Sequence, residues 1–295
     1  MFHMRFPIVL TGAIASLAAI GCVAPPDERP DAEATSNTAT AVVVVERTTG
    51  PGDAVRGDAV IARFVRVHQG TVDDQALRIA GAAWDLPALG TCSTAQEVQP
   101  TLQPRSVDLL DVGVLTVDAT STRSTVLLPR SMPDPTGVVS GVFYSARSVE
   151  AFTPSTASES RRLQLHTSGG PDMAEGFRVD VPSPRDVSDV RVGPSASPAN
   201  GPSGLDVTWE TDATTADARD VVYVDVLAPS SQDRRLVARC TTLDVGQLAI
   251  PTSALGSVEE GQLSVHRLHR ESFRAKGIEP GEVRFDVARV VTFRR

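Results

Sequence analysis

The sequence predicts an all-β protein, and three observations lead to this expectation. Apolar and polar residues alternate in short runs, such as Phe177 to Val181 and Val283 to Val287, and a period of two is typical of strands with one buried face. Segments rich in Pro, Gly, Ser and Asp separate the runs, as at 133–137, and these residues favour turns. Sustained helical periodicity is missing, and 73–83 and 251–260 are the stretches most open to a helical turn. Many short strands between turns favour antiparallel β-sandwiches.

Two sandwich domains are expected from the length of the chain and from the position of its prolines. Further alternating runs lie at 163–166 and 205–210, and runs rich in β-branched and aromatic residues lie at 60–68, 107–117, 138–145 and 221–227. The 295 residues exceed a usual single domain. Pro182-Ser183-Pro184 follows one strand run and marks a linker, so we predict one β-sandwich domain over 42–186 and a second over 187–295.

The second predicted domain contains two alternating runs with a familiar pattern. These are Gly204-Leu205-Asp206-Val207-Thr208-Trp209 and Val222-Tyr223-Val224-Asp225-Val226. The first is similar to the second strand of fibronectin type III modules, whose tryptophan anchors the core, and the second is similar to their third strand. The resemblance implies an immunoglobulin-like or fibronectin type III-like sandwich over 187–295. The alternative is that Trp209 is simply the core tryptophan of another sandwich.

The first 21 residues have the layout of a signal peptide. Arg5 supplies a positive charge near the start, and an uncharged, largely apolar run follows from Pro7 to Ile20. This run is about 14 residues long, shorter than the roughly 20 that a helix needs to cross a bilayer. We therefore expect 1–21 to direct export and then to be removed.

The export segment ends in Leu17-Ala18-Ala19-Ile20-Gly21-Cys22, which resembles the lipobox of bacterial lipoproteins. The resemblance implies that the Cys22 thiol receives a diacylglycerol, that the chain is cut before Cys22, and that the new amino terminus is acylated, for example with palmitate. Two or three acyl chains hold a protein stably on a membrane, because each buried methylene contributes about 0.8 kcal/mol. Ala19 stands where the family usually has leucine. The alternative is an ordinary secretory cut that leaves Cys22 as a plain thiol.

The residues after Cys22 predict a location and a tether. In the lipoproteins that the chain resembles, Asp after the cysteine commonly signals retention at the inner membrane, and this chain has Val23. The resemblance therefore implies a lipid-anchored protein of the cell envelope, at the outer membrane if the cell has one. Residues 23–40 are rich in Pro, Ala, Thr and acids, and such a segment buries too little surface to offset its ordering entropy. We predict a disordered tether over 22–41.

Cys92 and Cys240 remain once Cys22 is assigned to lipid. An exported protein meets conditions that permit disulfides, and a bond between these two would close a loop of about 150 residues, which chain-entropy estimates value at about 5 kcal/mol. The alternative is a pair of buried thiols, one in each domain.

The composition argues against several partners. The net charge is −8, which is the wrong sign for a nucleic-acid partner and for electrostatic binding to anionic lipid. Aromatic residues make up 4% of the chain, which leaves few rings for a sugar-stacking platform or a flat protein interface. We expect no nucleic-acid partner, and contact with a membrane through the lipid on Cys22.

No catalytic or metal-binding motif is recognised in the sequence. The G-x-S-x-G elbow of serine hydrolases is absent. His266 and His269 could share a metal on a helix, but the alternating residues before them indicate a strand, on which this spacing sends them to opposite faces. Acid pairs such as Asp73-Asp74 are usually solvated surface groups. We therefore expect no catalytic residue, no metal and no cofactor.

Trp84 lies in a predicted loop, Ala83-Trp84-Asp85-Leu86-Pro87, and is the candidate ligand-binding residue. The alternative is a tryptophan folded onto the edge of the sandwich. The expected function is that of a membrane-anchored envelope lipoprotein with a non-catalytic binding or structural role and an envelope protein or glycan as partner. The alternative function is an envelope hydrolase or carbohydrate-binding protein whose site is built from scattered loop residues.

Overall fold

The structure is a computed structural model that describes residues 39–68, 70–94, 106–120, 123–133, 137–147, 162–195, 204–212, 220–230 and 234–295. Its strands are β1 (Ala39–Thr49), β2 (Val55–Val67), β3 (Cys92–Thr94), β4 (Val107–Leu109), β5 (Leu115–Thr120), β6 (Arg123–Leu127), β7 (Pro129–Ser131), β8 (Val139–Arg147), β9 (Arg162–Thr167), β10 (Phe177–Pro182), β11 (Arg191–Pro194), β12 (Leu205–Thr208), β13 (Val221–Pro229), β14 (Arg234–Leu243), β15 (Gln247–Ile250), β16 (Glu260–Ala275) and β17 (Ile278–Arg294). The helices are a 3-10 turn (Pro51–Asp53), α1 (Asp74–Ile79) and α2 (Thr252–Leu255). The prediction of an all-β protein is confirmed.

Three sheets account for these strands in the described part of the chain. The large sheet has ten strands in the order β3-β14-β13-β16-β17-β1-β2-β4-β8-β7. A four-stranded sheet has the order β10-β9-β5-β6, and a three-stranded sheet has the order β11-β12-β15. Most neighbours are antiparallel, but β1 runs parallel to β17 and β4 runs parallel to β8. The first described strand therefore lies in the middle of the large sheet, beside the last one.

Strands β16 and β17 form a long hairpin that runs across much of the large sheet. Their register pairs Ala275 with Ile278, so Lys276 and Gly277 form a two-residue turn. Gly277 has φ +79°, a left-handed conformation that suits such turns and that glycine adopts without steric cost. The hairpin is long enough to contribute to two hydrophobic cores.

Both small sheets pack on the same face of the large sheet, which we call the inner face. The first core lies between the four-stranded sheet and β1, β2 and β17, and its large members include Phe64, Phe177 and Phe285. The second core lies between the three-stranded sheet and β13, β14 and β16, and it includes Trp209. Each core is built from alternate residues of the strands, because successive side chains in a strand point to opposite faces.

Helix α1 packs on the opposite side of the large sheet, which we call the outer face. Ala76 and Ala80 lie in a third, smaller core that also contains Val42 and Val44 of β1. Asp73 caps the helix, since its Oδ1 accepts a hydrogen bond from the Ala76 amide at 2.8 Å. This acid of the predicted pair Asp73-Asp74 is therefore a helix cap.

The strand run predicted at 107–117 is two strands. Residues 110–114 separate β4 from β5, and Gly113 turns there with φ +80° while the Asp111 side chain accepts its amide hydrogen bond at 2.8 Å. The chain leaves the large sheet at this turn and enters the four-stranded sheet. Apolar alternation continues on both sides of the turn, so periodicity alone did not separate the strands.

The large sheet crosses the predicted domain boundary at 186/187. Strands β1 and β2 come before the boundary, yet β1 pairs with β17 over ten residue pairs that end at Thr49 and Arg289. Phe273, Val283 and Phe285 come after the boundary, yet they lie in the first core. The seven strands from β11 onward are arranged as three against four around the second core, which is compatible with the immunoglobulin-like unit. The division into two domains stays a prediction.

The start of β1 corrects the predicted end of the tether. Strand β1 begins at Ala39, so residues 39–41 are strand residues and the predicted tether over 22–41 is wrong for them. They are ordered because β1 has neighbours on both sides, with Ala39 paired to Ile278 and Thr40 paired to Val65. The predicted signal peptide, Cys22 and the rest of the predicted tether lie outside the described residues. No helix in the described ranges is both long and apolar enough to span a bilayer.

Candidate functional site

Strand β16 carries two histidines that point to opposite faces of the large sheet. His269 faces the inner side with Arg267, between the two hydrophobic cores. His266 faces the outer side, where it pairs in register with Tyr223 of β13. The spacing on a strand predicts this separation. Each histidine is the centre of a polar cluster, which we call the inner cluster and the outer cluster.

In the inner cluster, His269 is held between two carboxylates. Its Nδ1 lies 2.5 Å from Asp220 Oδ1, and its Nε2 lies 2.9 Å from Glu271 Oε1. Both carboxylates can only accept when ionised, so the ring donates from both nitrogens as an imidazolium. Burial lowers the pKa of His269, but the hydrogen bonds and charges of Asp220 and Glu271 outweigh burial and raise the pKa above its usual value of 6.5.

Arg267 is the second centre of the inner cluster, and it is fully buried. Its Nε donates to Asp244 Oδ2 at 2.8 Å, and its terminal nitrogens donate to the carbonyls of Glu210 at 2.7 Å and Arg185 at 3.1 Å. Asp244 also accepts a hydrogen bond from Trp209 Nε1 at 2.6 Å. Arg267 therefore ties the linker after β10 and the end of β12 to the large sheet.

The outer cluster is built on Asp286 of β17. Tyr223 donates its hydroxyl hydrogen to Asp286 Oδ2 at 2.8 Å, and His266 Nδ1 lies 2.9 Å from Asp286 Oδ1. The Tyr223 and His266 rings stack with centroids 4.2 Å apart and planes 14° from parallel. If the ionised Asp286 accepts from both rings, the hydrogen of neutral His266 is on Nδ1 and Nε2 is left as an acceptor. Within the described ranges, nothing hydrogen-bonds to His266 Nε2.

The other side of the Tyr223 ring is covered by Arg239. The guanidinium carbon lies 4.8 Å from the ring centroid, and the same group makes two hydrogen bonds to Asp225 at 2.6 and 2.7 Å. Burial raises the pKa of Tyr223, and the Asp286 carboxylate raises it further, so the hydroxyl remains a donor at neutral pH. Tyr223 is thus a rigid support for His266.

Glu46 lies next to Asp286, because β1 and β17 place the two carboxyl groups at the same level of neighbouring strands. Burial raises the pKa of Glu46, and the Asp286 carboxylate raises it further, while His266, Arg147 and Arg63 act in the lowering direction. The Glu46 carboxyl makes no hydrogen bond or ion pair with any residue that the structure describes. It is half-buried, so it stands as an unpaired acid in contact with solvent.

The segment that contains Trp84 crosses the outer face. Arg284 donates to the Ala82 carbonyl at 2.7 Å, and the Gly90 amide donates to the Thr241 carbonyl at 2.8 Å, so both ends of the segment are fixed to the sheet. Between them, the half-buried Trp84 ring meets the Tyr223 ring edge-on with centroids 6.3 Å apart. Trp84, which the sequence predicts to lie in a loop, therefore lies beside the outer cluster.

A disulfide bond joins Cys92 and Cys240 in the structure. Cys92 in β3 pairs directly with Cys240 in β14, at the edge of the large sheet. Strand β3 follows the Trp84 segment, so the bond holds the far end of that segment on the sheet. Cys22, the predicted lipidation site, lies outside the described residues.

Sequence reasoning missed three residues of the outer cluster, namely Glu46, Tyr223 and Asp286, as site residues. They come from β1, β13 and β17 and share no motif, since cross-strand neighbours are set by pairing between distant segments. The only local signal is an acid within a strongly apolar strand, as where Glu46 follows four valines. Such an acid suggests a polar position on the sheet but does not name its neighbours.

The described residues contain no group of three or more His, Cys, Asp or Glu side chains arranged to hold a metal ion. In the inner cluster, the two carboxylates bind opposite sides of the His269 ring, which leaves no shared point for a cation. Comparison with protein-family models finds no match for the chain, and a search of curated proteins finds no similar sequence.

Proposed function

We propose that this chain is a lipid-anchored lipoprotein of the cell envelope whose folded body has a non-catalytic binding or structural role. The observation that carries the proposal is the segment Ala19-Ile20-Gly21-Cys22 at the end of an apolar export run. Strand β1 begins at Ala39, so the 16 residues 23–38 separate the anchor from the body. A flexible tether of that length has a root-mean-square span on the order of 25 Å.

The inner cluster supports the non-catalytic part of the proposal. Both ring nitrogens of His269 and the guanidinium of Arg267 are bound by internal partners, and the two side chains are 6% and 1% exposed. Groups that are buried and bound in this way stabilise a fold, since a general base needs a free lone pair within reach of a substrate. The partner that we propose is an envelope protein or a glycan.

Lipid labelling and membrane fractionation test the anchor. Cells that express the wild type or Cys22→Ser are grown with labelled palmitate, and each protein is immunoprecipitated. We expect label and membrane association in the wild type and neither in Cys22→Ser. Ala19→Leu is the matched control, because it restores the residue usual in lipoboxes and should retain the label. An unlabelled wild type would contradict the lipid anchor.

The second candidate function is an envelope hydrolase or carbohydrate-binding protein. It is favoured by the outer cluster, where Asp286 orients His266 and leaves its Nε2 open, next to the unpaired Glu46. A carboxylate that orients an imidazole is also the arrangement of many general bases. These residues lie on strands, so the site differs from the scattered loop residues that the sequence suggested.

A further inference from the structure

We propose that the outer cluster binds a neutral saccharide chain through Glu46, His266 and Trp84. This inference rests on the proposed binding role of the body and names the class of ligand. Four features of the cluster support this assignment. They are its open hydrogen-bonding groups, its charge balance, its shape and its aromatic ring.

The open polar groups of the cluster are ones that a hydroxyl can satisfy, because a hydroxyl both donates and accepts hydrogen bonds. The Glu46 carboxyl has no partner among the described residues, and His266 Nε2 is likewise open. Polar groups that are partly withdrawn from water are usually hydrogen-bonded in a folded protein. Both groups are held in place by the sheet, and Tyr223 fixes the His266 ring by stacking and by sharing Asp286.

The charges around these acceptors are balanced. Register places Asp286, Glu46, Ala59 and Arg147 in one row across β17, β1, β2 and β8. Neighbouring strands are about 4.8 Å apart, so Arg147 lies on the order of 10 Å from Glu46. The two acids, Glu46 and Asp286, are offset by Arg147 at the other end of the row and by Arg63, whose charge also acts on Glu46, and this balance favours a neutral ligand.

The shape of the row suits an extended ligand. Ala59 lies between Glu46 and Arg147 in this row. Its methyl group is much shorter than the two flanking side chains, so the surface of the sheet is recessed at Ala59. Arg147 is exposed, and its guanidinium can donate hydrogen bonds to a ligand, whereas the Glu46 carboxylate can accept them. A chain of hydroxylated rings lying along this recessed surface would offer hydrogen-bond donors and acceptors at intervals, for Glu46 at one end and Arg147 at the other.

Trp84 supplies the apolar contact that a saccharide ring needs. It is half-buried beside Tyr223, and the segment that carries it is fixed at Ala82 and Gly90. Ligand sites commonly combine aromatic surface with a few well-placed polar groups. A sugar ring has an apolar C–H face for the indole and hydroxyl groups for Glu46 and His266.

A neutral-and-anionic glycan array, probed with the full chain carrying Cys22→Ser, tests the proposal. We expect binding to neutral glycans, and titration calorimetry with the tightest binder should show a loss of at least tenfold in affinity for Glu46→Gln. Trp84→Ala should weaken binding similarly. Glu259→Gln is the matched control, since it removes an exposed acid outside the cluster and should bind like the wild type. Thermal unfolding of each variant checks that it is folded.

The possible contrary results each count against a specific part of the proposal. Binding to anionic glycans alone, or to none, would overturn the saccharide site, and so would wild-type affinity in Glu46→Gln. Capture of an envelope protein by the wild type and by Glu46→Gln alike, with no binding to any glycan, would leave the binding role standing and overturn the saccharide site. Release of new reducing ends from the bound glycan would support the site and overturn the non-catalytic role.

Discussion

The inner and outer clusters share strand β16 but use their histidines in opposite ways. The His269 side chain is 6% exposed and bound at both nitrogens, whereas the His266 side chain is 15% exposed and bound at Nδ1 alone. Asp220 and Glu271 are both committed to His269, while Glu46 beside His266 has no partner in the described part of the chain.

The difference follows from what covers each face. The two small sheets lie over the inner face, so a charge there is removed from water and must be paired to be tolerated. The outer face is partly open, and water can solvate a carboxyl or an imidazole that lacks a protein partner. On this sheet the outer face therefore holds both polar groups bound within the fold, such as Arg284, and groups open to solvent, such as Glu46.

The largest effect is expected from breaking the inner cluster at Arg267. Arg267→Met removes the cation from buried Asp244 and leaves two carbonyl acceptors without their donor. We expect a loss of about 3–5 kcal/mol in the free energy of unfolding, as for other broken buried ion pairs. Urea denaturation measures it. Arg294→Met is the control, because its ion pair with Glu260 is exposed and its loss should cost about 0–1 kcal/mol.

Removing the disulfide should loosen the segment between Trp84 and β3 more than the middle of the large sheet, because the bond joins the edge strand β3 to β14. The double variant Cys92→Ala, Cys240→Ala is expected to lose about 2–4 kcal/mol of stability, since the bond closes a long loop in the unfolded chain. Hydrogen exchange should rise most at the Gly90 and Thr91 amides, which lie between Trp84 and β3. Equal acceleration in β16 next to His269 would contradict a local effect of the disulfide on the Trp84 segment.

The raised pKa of His269 predicts a loss of stability with rising pH. The contribution of the imidazolium is fully present below pH 6.5, the usual pKa, and is lost as the pH rises through the raised pKa of the folded state. Between about pH 6 and pH 9 the free energy of unfolding of the wild type should fall by about 1.5–3 kcal/mol more than that of His269→Gln. This is the order of a hydrogen bond to a charged group. Urea unfolding at both pH values measures this. A flat wild-type profile would contradict the imidazolium between Asp220 and Glu271.

The smallest change in stability is expected for Glu46→Gln. The test is whether this variant is more stable or less stable than the wild type. Glu46→Gln removes a half-buried carboxylate that faces Asp286, so it should stabilise the protein by about 0.5 kcal/mol at neutral pH, because like charges on neighbouring strands repel. The gain should vanish below the usual pKa of 4.5, where the carboxyl is protonated in both states. Thermal unfolding at the two pH values measures it. Destabilisation at neutral pH would mean that Glu46 is a structural residue.

Local patterns were enough to predict the type of structure and the facing of single residues. Alternation predicted strands, and α1 and α2 lie inside the two stretches open to a helical turn. The strand period also predicted that His266 and His269 point to opposite faces. These properties depend on a few consecutive residues, so they can be found without knowing which strands pair. They did not reveal that Ala39 to Ala41 belong to β1.

The composition of the two clusters was decided only by tertiary structure. Glu46 meets Asp286 because β1 inserts between β2 and β17, and nothing in its valine-rich sequence distinguishes these neighbours from other apolar strands. Asp220 likewise reaches His269 from a distant part of the chain. By itself, the sequence determined an all-β body and the predicted address at Cys22. Strand pairing decided which polar residues meet and whether they lie on the covered inner face or on the partly open outer face. The pairing itself is selected by the total burial of the folded chain.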